Sequence, residues 1–399
     1  MSVLDFLARG LIGDSWLVVG GLLLLFTQLT IISVTLYLHR CQAHRACDMH
    51  PVLGHLFRFW LWLTTGMSTK EWVAIHRKHH ARCETEEDPH SPQFHGIRKV
   101  LLEGAELYVT ESGNAETLER FGRGTPDDWI EHHVYTRMSG TLGPTLMMLI
   151  DLVLFGAVGV TFWAVQMMWI PFFAAGVING LGHWWGYRNF ETPDTAHNLT
   201  PWAFFLGGEE LHNNHHAFPS SAKFALKSWE FDLGWQVLRG LSKLGLVKIL
   251  RVAPSEPALH DVRKDVDKDT IRALLTHRFQ LLSHYWREVI VPVLRDEAQH
   301  AGESWTSLKR ECKRLLHRDG RFVKGVKRER REALLRSLPR LATVFEYRRR
   351  LMAIWSRSTG NTQALVESLT QWCRDAEASG IHALECYASR LRRMTPATG

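Results

Sequence analysis

Two apolar blocks dominate the first half of the chain. Trp16 to Leu38 contains 23 residues without a charged side chain. At about 1.5 Å per helical residue, this segment is long enough to cross the roughly 30 Å hydrocarbon core of a bilayer. It lacks a basic start and a small-residue cleavage site, so we interpret it as a membrane anchor and not as a signal peptide. The second block, Thr141 to Leu181, carries one charge, Asp151, and divides near Gly156–Gly159, which predicts a helical hairpin.

A third apolar stretch, residues 51–69, has a weaker pattern. His55 and Arg58 interrupt it, and its uninterrupted apolar run is only Phe59–Leu63. This pattern predicts an interfacial or half-inserted helix that does not cross the membrane. Arg40 and Arg45 follow the first span, and this bias predicts an N-terminus outside and a cytoplasmic position for the residues after the span.

The apolar blocks end at Pro254–Pro257, where the composition of the chain changes. We predict an N-terminal segment (1–15), a membrane domain (16–254) and a basic, helical C-terminal domain (255–399). The net charge is +7, and much of the excess lies late in the chain. The six cysteines form neither a CxxC pair nor a secreted disulfide framework, which fits a reducing compartment.

Histidines form three groups, each beside a hydrophobic segment. One group has the pattern HxxxxH and two have the pattern HxxHH; their members are His39 and His44, then His76, His79 and His80, then His212, His215 and His216. Positions i, i+3 and i+4 of a helix share one face, so each HxxHH directs three imidazoles into one region. His39 and His44 lie about 140° apart on an α-helix and reach neighbouring metals, or one metal if the helix end unwinds.

Eight grouped histidines predict a metal site with two ions, because a zinc site usually takes four ligands. Imidazole binds zinc, copper, iron and nickel. The chain has no HExxH motif, which argues against a zinc metalloprotease. Carboxylates are absent from the histidine motifs themselves, which argues against a carboxylate-bridged di-iron bundle. An isolated histidine is usually an ordinary core or surface residue. This interpretation covers most of the remaining histidines before residue 217: His50, His55, His90, His95, His132, His133 and His197.

The order HxxxxH, HxxHH, HxxHH around apolar segments resembles the membrane-bound fatty acid desaturases. The flanks "YLHRCQAHRA", "HRKHHARCETEEDPHSP" and "GEELHNNHHAFP" resemble the Δ9 acyl-CoA (stearoyl-CoA) desaturase branch, of bacterial type, over roughly residues 16–235. The resemblance implies an all-α membrane bundle of about three spans plus interfacial helices, with a cytosolic histidine-rich di-iron cap. It also implies two non-haem irons held by the eight grouped histidines and by His183, with Asn179 contacting one iron through a water.

The same resemblance implies the reaction. It is the O2-dependent insertion of a cis double bond, at Δ9, into a saturated long-chain acyl thioester, acyl-CoA, for unsaturated fatty acid biosynthesis. No haem-binding or dinucleotide-binding motif is fused to the chain, so electrons are expected from a separate reductase or ferredoxin-type protein. The expected location is a bacterial inner membrane, with the active site facing the cytoplasm.

An apolar tunnel is expected to place the acyl chain beside the metals. Four aromatic residues near the histidine groups are either tunnel-lining residues or membrane-interface aromatics: Trp72, Trp184, Trp185 and Tyr187. Animal acyl-CoA enzymes have an Arg-Asp pair before the second histidine group, where this chain has Ala74-Ile75. The cations available for CoA phosphates are Arg77, Lys78, Arg82, Arg98 and Lys99.

Three other functions compete with an acyl-CoA desaturase. An acyl-lipid desaturase and a di-iron alkyl or lipid hydroxylase both use the same metal-ligand pattern. A metal transporter needs polar residues inside its spans, and these spans are almost entirely apolar.

The C-terminal domain has no counterpart in the desaturase core. Lys309 to Arg350 is rich in Lys and Arg, which is typical of a solvated helical surface, a docking site for an acidic electron carrier, or a contact with anionic lipid. Its helical rhythm resembles transposase C-termini. No recognised binding motif supports a nucleic-acid partner, and none is expected.

Overall fold

The computed structural model of the chain is mostly helical and consists of two compact units. It describes residues 2–13, 15–136, 140–260, 265–300, 302, 304–316, 325–356 and 361–396. The N-terminal unit comprises Met1–Arg188 and Asp194–Ala253. The C-terminal unit comprises Pro254–Gly399 together with Asn189–Pro193, a five-residue segment that we call the strap.

The N-terminal unit is built from α-helices interrupted by π-helical segments. Its α-helices are α1 (Val3–Arg9), α2 (Trp16–Ser33), α3 (Pro51–Thr65), α4 (Thr69–Arg82), α5 (Pro92–His95), α6 (Ile97–Leu102), α7 (Gly104–Ser112), α8 (Ala115–Phe121), α9 (Leu142–Phe155), α10 (Val158–Ile170), α11 (His212–Ala217) and α12 (Leu233–Lys243). Its π-helical segments are Val34–Ala43, Glu131–Tyr135 and Pro171–Leu181. Two strand pairs complete it: β1 (Cys47–Met49) with β4 (Val247–Ile249), antiparallel, and β2 (Trp202–Ala203) with β3 (Phe231–Asp232), parallel.

Among the described residues, two continuous helices are long and apolar enough to cross a membrane. They are Trp16–Ala43, which joins α2 to the first π-helical segment, and Val158–Leu181, which joins α10 to the third. Helix α9 is a shorter apolar helix of 14 residues and forms the predicted hairpin with α10. Residues after α1 pack on the turn of this hairpin, since the Leu11 N–H donates to the carbonyl of Val153. The hairpin turn and the start of the first long helix therefore lie at the same end of the unit.

Helix α3 corresponds to the predicted interfacial segment. It has 15 residues, fewer than the roughly 20 that a membrane-spanning helix needs. Phe57, Leu61 and Trp62 are buried on one face, while Phe59 is exposed. The helix ends at Gly66, whose φ of 67° is a left-handed conformation that glycine adopts at little cost. The chain then turns into α4, which carries the second histidine group.

A buried ion pair joins the end of the first long helix to α12. Arg40 Nη2 lies 2.9 Å from Asp232 Oδ1, and neither side chain is exposed to solvent. The guanidinium also donates to the carbonyl of Ala222 and lies 3.9 Å from the centre of the Phe224 ring. Asp232 accepts from the Trp235 N–H and so caps α12. Because Arg40 follows His39 directly, this pair fixes the backbone that carries a predicted metal ligand.

We expect Asp232→Asn to lower the free energy of unfolding by about 3–5 kcal/mol, because it leaves the Arg40 charge buried without a counter-charge. The amide keeps the size of the side chain, so the change removes charge and not volume. Denaturant unfolding of the detergent-solubilised protein measures the effect. The matched control is Glu116→Gln, which breaks an exposed pair with Arg120 and should cost less than about 1 kcal/mol. Equal stability of the two variants would contradict the assignment.

The cysteine pattern of the sequence predicted a reducing compartment, yet one pair of cysteines is bonded in the structure. Cys41 and Cys47 are joined as a disulfide, with Cα atoms 4.8 Å apart. Cys41 lies in the last turn of the first π-helical segment and Cys47 begins β1, so the backbone reverses between them. The loop that they close carries His44.

The C-terminal unit is helical and has its own apolar core. Its elements are β5 (Ala258–Leu259), α13 (Lys268–Tyr285), the π-helical segment Trp286–Ile290, α14 (Val291–His300), α15 (Trp305–Leu316), α16 (Val326–Ser337), α17 (Pro339–Ser356), α18 (Thr362–Glu377), α19 (His382–Arg392) and β6 (Met394–Thr395), which pairs antiparallel with β5. Two polar groups inside this core are hydrogen-bonded to the backbone: Tyr387 Oη donates to the carbonyl of Leu281, and Trp372 Nε1 donates to that of Tyr347.

Candidate metal centre

The three histidine groups of the sequence meet in space and divide into two clusters. The ligand atoms of the first cluster lie within 4.8 Å of one another and belong to His39, His44, His76, His80 and His215. The second cluster, with the same spacing, contains His79, Cys83, His183 and His216. His212 adjoins the second cluster, since its Nε2 lies 2.9 Å from Nε2 of His183. The eight grouped histidines and His183 are therefore brought together, as two sets of donor atoms.

Helical geometry explains how each HxxHH is divided. Residues i and i+4 of an α-helix are about 40° apart around the axis, whereas i+3 and i+4 are about 100° apart. On α4, His76 and His80 therefore point to the first cluster and His79 points to the second. On α11, His215 belongs to the first cluster, while its i+1 neighbour His216 belongs to the second. Each HxxHH thus contributes to both clusters.

The π-helical segment brings His39 and His44 together. The His44 N–H donates to the carbonyl of His39, five residues earlier, at 3.1 Å. This i→i+5 bond widens the turn, so residues five apart lie nearly one above the other. The two ring centres are 4.9 Å apart. The 140° separation expected on an α-helix is therefore wrong for this segment, and both imidazoles reach one cluster.

Four histidines of the clusters donate from Nδ1 to a buried or half-buried carboxylate. The pairs are His39 with Glu209 (2.8 Å), His79 with Asp88 (2.9 Å), His183 with Glu84 (3.2 Å) and His216 with Asp194 (3.0 Å). Donation from Nδ1 fixes the tautomer and the ring plane, and it leaves the Nε2 lone pair directed into the cluster. This is the arrangement that a metal-binding histidine needs.

The electrostatics of the clusters suit a cation. Burial holds the pKa of five imidazoles well below the ordinary value: His44, His76, His80, His212 and His215. These rings are therefore neutral, which is the form that binds a metal. Nε2 of His39 lies 3.0 Å from Nε2 of His215, although the Nδ1 hydrogen of His39 is already donated to Glu209. Nε2 of His215 also lies 2.9 Å from Nε2 of His80. Imidazole nitrogens that converge in this way fit a bound metal ion.

The four carboxylates are candidate site residues that the sequence did not reveal. The histidine motifs themselves contain no acidic residue, and these four lie outside them. Glu84 and Asp88 follow the second group in "ETEEDPH", and Glu209 precedes the third in "GEELH". An acidic residue a few positions from the second and third groups was the available signal. The pairing itself was not readable, since His39 and Glu209 are 170 residues apart.

Glu84 occupies an unusual backbone conformation at the end of α4. Its φ of 59° lies in the left-handed region, which residues other than glycine seldom adopt. The conformation turns its buried carboxylate toward His183, and the Thr195 N–H donates to the same oxygen at 2.9 Å. Strained residues of this kind persist where surrounding contacts hold them, often at functional sites.

We expect Glu84→Gln to weaken metal binding about 10–100-fold, the usual cost of removing a partner of a metal-bound histidine. The amide can offer an N–H to His183 in place of a lone pair, so the imidazole loses its fixed orientation. Metal retained after graded chelator treatment measures the effect. Glu87→Gln is the matched control, because Glu87 is largely exposed and forms an ion pair with Arg82 at the end of α4. Equal metal retention in the two variants would refute the role of Glu84.

An apolar cavity of about 380 Å³ reaches the clusters. Its wall includes His39, His76, His212 and Asn179 at the metal side, and small or aliphatic residues of α4, α7 and the third π-helical segment elsewhere. Trp72 lines it and stacks on His76 with ring centres 4.8 Å apart. The cavity therefore joins a hydrophobic binding space to candidate metal ligands.

The other three predicted tunnel aromatics lie elsewhere. Trp184 and Trp185 are 45% and 66% exposed. Tyr187 donates to Glu230 at 2.8 Å and packs against Trp229. None of the three is among the residues that line the cavity in the described part of the chain.

Two of the five predicted head-group cations are engaged within the fold. Arg77 donates to the backbone carbonyls of Gln42 and Ala43, and Lys78 lies 2.7 Å from Glu111. The remaining three cations are partly or fully exposed: Arg82, Arg98 and Lys99.

Two family models match the chain, one for each unit. A model described as "Fatty acid desaturase" matches residues 14–243, and a model described as "Transposase" matches residues 258–397. The first match contains the nine histidines and the four carboxylates described above.

Curated relatives cover the same N-terminal part. Delta-9 acyl-lipid desaturase 2 of Arabidopsis thaliana is 30% identical over 235 residues, which are 58% of this chain and 74% of that protein. The sn-1 stearoyl-lipid 9-desaturase of Synechocystis is 29% identical over 243 residues, 60% of this chain and 74% of its own length. Icosanoyl-CoA 5-desaturase of Limnanthes douglasii is 31% identical over 232 residues, 57% of this chain and 62% of its own length.

Proposed function

Because the chain belongs to the fatty acid desaturase family, we propose that it introduces a cis double bond, at Δ9, into a saturated long-chain acyl group by an O2-dependent reaction. The observation that carries the proposal is the convergence of nine imidazoles, in two clusters, on one end of an apolar cavity. Two non-haem iron ions, when bound, would supply the oxidising chemistry that breaks two unactivated C–H bonds.

The two clusters would each hold one iron. The first offers five imidazoles, and the second offers His79, His183 and His216 together with His212. Asn179 faces the cavity and is proposed to contact one iron through a water. The four carboxylates hold the Nδ1 hydrogens of their histidines, so that the Nε2 atoms stay available to the metals.

The cavity would bind the acyl chain and exclude water from the reacting carbons. Its apolar wall matches an alkyl chain, and Trp72 fixes the ring plane of His76 at the metal end. A chain held in a narrow apolar space presents one pair of adjacent carbons to the metals, and this positioning determines where the double bond forms.

The carrier of the acyl chain has two candidates. Acyl-CoA is the first, and the exposed Arg98 and Lys99 are its available phosphate partners. An acyl lipid is the second, because Arg77 and Lys78 are already engaged within the fold. The names of the relatives include both lipid and CoA substrates, which supports keeping both candidates.

The proposed setting follows from the family and from the two long apolar helices. The family is membrane-associated, and Trp16–Ala43 and Val158–Leu181 have the length and composition of membrane-spanning helices. We propose a bacterial inner membrane with the metal centre on the cytoplasmic side, and a separate reductase or ferredoxin-type protein as electron donor.

Expression with a reductase in a host that lacks the activity tests the proposal. Labelled stearate is supplied, and the CoA pool and the membrane lipids are sampled over time. A cis double bond at Δ9 is expected, and the pool in which it appears first identifies the carrier. Hydroxylated chains in place of unsaturated ones would overturn desaturation in favour of a hydroxylase.

A further inference from the structure

The C-terminal unit contains a cavity that the proposed reaction does not use. It has a volume of about 430 Å³ and lies between the strap, α13 and α17. Small-molecule sites usually have volumes of about 300–1,000 Å³, so the cavity is large enough for an organic ligand. Its walls combine arginines with aromatic and aliphatic side chains.

One of these arginines, Arg278, has guanidinium N–H groups that are available to a ligand. Its Nη1 donates to the carbonyl of Leu275, and its guanidinium carbon lies 4.4 Å from the centre of the Phe279 ring. Within the described part of the chain, Arg278 forms no ion pair. It is only partly exposed, and burial lowers its pKa. Arginine nevertheless keeps its charge in proteins. A half-buried cation without a counter-charge favours an anionic ligand.

A second arginine, Arg348, is only partly satisfied. It is 8% exposed, and its Nη2 lies 3.1 Å from Oε2 of Glu191 in the strap. Among the described residues, its Nε has no hydrogen-bond acceptor, but this atom is buried and not open to the cavity. The third arginine, Arg349, is neutralised by Glu346 at 2.7 Å. The wall of the cavity therefore keeps one positive charge in excess, that of Arg278.

The rest of the wall is apolar. Phe279 and Leu282 of α13 face Met352 and Trp355 of α17 across the cavity. A guanidinium binds carboxylate and phosphate through paired N–H donors, and the apolar wall suits an alkyl chain. We propose that this cavity binds an amphipathic anion, a ligand with a carboxylate or phosphate at one end and an alkyl chain at the other. Arg278 holds the anionic end.

The strap gives this cavity a covalent connection to the metal centre. The Glu191 N–H donates to the carbonyl of Phe279, which fastens the strap to α13. The chain continues directly into Asp194 and Thr195, which contact His216 and Glu84 in the N-terminal unit. A ligand that competes with Glu191 for Arg348 thus acts on the segment that leads to these metal-centre partners.

Quenching of Trp355 fluorescence by brominated ligands tests the site in the full-length, detergent-solubilised protein. The probes are a brominated stearate, a brominated alkyl phosphate and the corresponding uncharged alcohol. Subtracting the signal of Trp355→Phe isolates this cavity from the other tryptophans, including Trp72. Arg278→Gln is the test variant, and Arg278→Lys keeps its charge. Arg272→Gln is the matched control, because Arg272 lies on the same helix with its side chain 72% exposed.

Both anions should quench Trp355, and the alcohol should not. Arg278→Gln should weaken binding about tenfold, which corresponds to roughly 1.4 kcal/mol. Arg278→Lys should recover most of the affinity, and Arg272→Gln should bind as the parent does. Tighter binding of the carboxylate would identify a fatty acid as the source, and tighter binding of the phosphate a lipid head group. Equal quenching by the alcohol, identical quenching of the parent and Trp355→Phe, or unchanged affinity in Arg278→Gln would each overturn the proposal.

Discussion

Replacement of His79 by alanine is expected to abolish desaturation and to lower the iron bound per chain. His79 contributes Nε2 to the second cluster, and its Nδ1 is held by Asp88 at 2.9 Å. Removing the ring takes away a ligand and also leaves the fully buried Asp88 carboxylate without its principal partner, which destabilises the cluster further. Unsaturated product measured by gas chromatography and iron measured by elemental mass spectrometry should fall together.

The control for this experiment is a histidine outside the clusters. His133 is exposed and stacks on Trp129, so His133→Ala removes the same atoms without touching the candidate metal ligands. It should keep both iron and activity. Desaturation that survives in His79→Ala with full iron content would show that the second cluster is wrongly assigned.

The histidine spacing predicted which imidazoles meet but not how they divide. The sequence argument placed the three histidines of each HxxHH on one helix face. The 100° between His79 and His80 sends them to different clusters, and only the position of the partner helix α11 shows that this difference matters. Likewise, no local pattern in residues 34–43 predicts a π-helix, because its i→i+5 bonds depend on what the helix packs against.

Most of the site features that the sequence did not predict depend on contacts between residues far apart in the chain. The carboxylates were visible as residues, yet the pairing of His183 with Glu84 spans 99 positions and needs the fold. Trp184 and Trp185 were candidates for the cavity wall because they follow His183 directly in the sequence. They do not line the described cavity. The apolar blocks were more informative about local structure, since Trp16–Leu38 lies in one long apolar helix and the hairpin forms. Of the three predicted spans, two have spanning length in the described part of the chain, whereas α9 has 14 residues.

The sequence also predicted the C-terminal unit only in part. Its amphipathic pattern predicted helices, and helices form. The strap was unpredictable, because its five residues lie more than 60 positions before the rest of that unit and carry no apolar pattern of their own. Part of the positive charge between Lys309 and Arg350 is balanced by neighbouring acidic residues. Arg349, for example, pairs with Glu346, three residues away on the same helix.

Filling the cavity of the N-terminal unit should stop the reaction without removing the metals. Ala105 of α7 lines the cavity, and Ala105→Phe places a ring in the space proposed for the acyl chain. A displacement of about 1 Å at the reacting carbons can cost about a hundredfold in rate, so desaturation of stearoyl substrate should fall by at least that factor. A shorter acyl chain should be less affected, because it needs less of the cavity. Leu102→Phe adds the same ring at a side chain that is 67% exposed and outside the cavity wall, and it should leave the rate unchanged. Iron content separates the two possible causes of a loss: if iron falls together with activity in Ala105→Phe, the substitution has disturbed the metal clusters, and the cavity is not shown to hold the substrate.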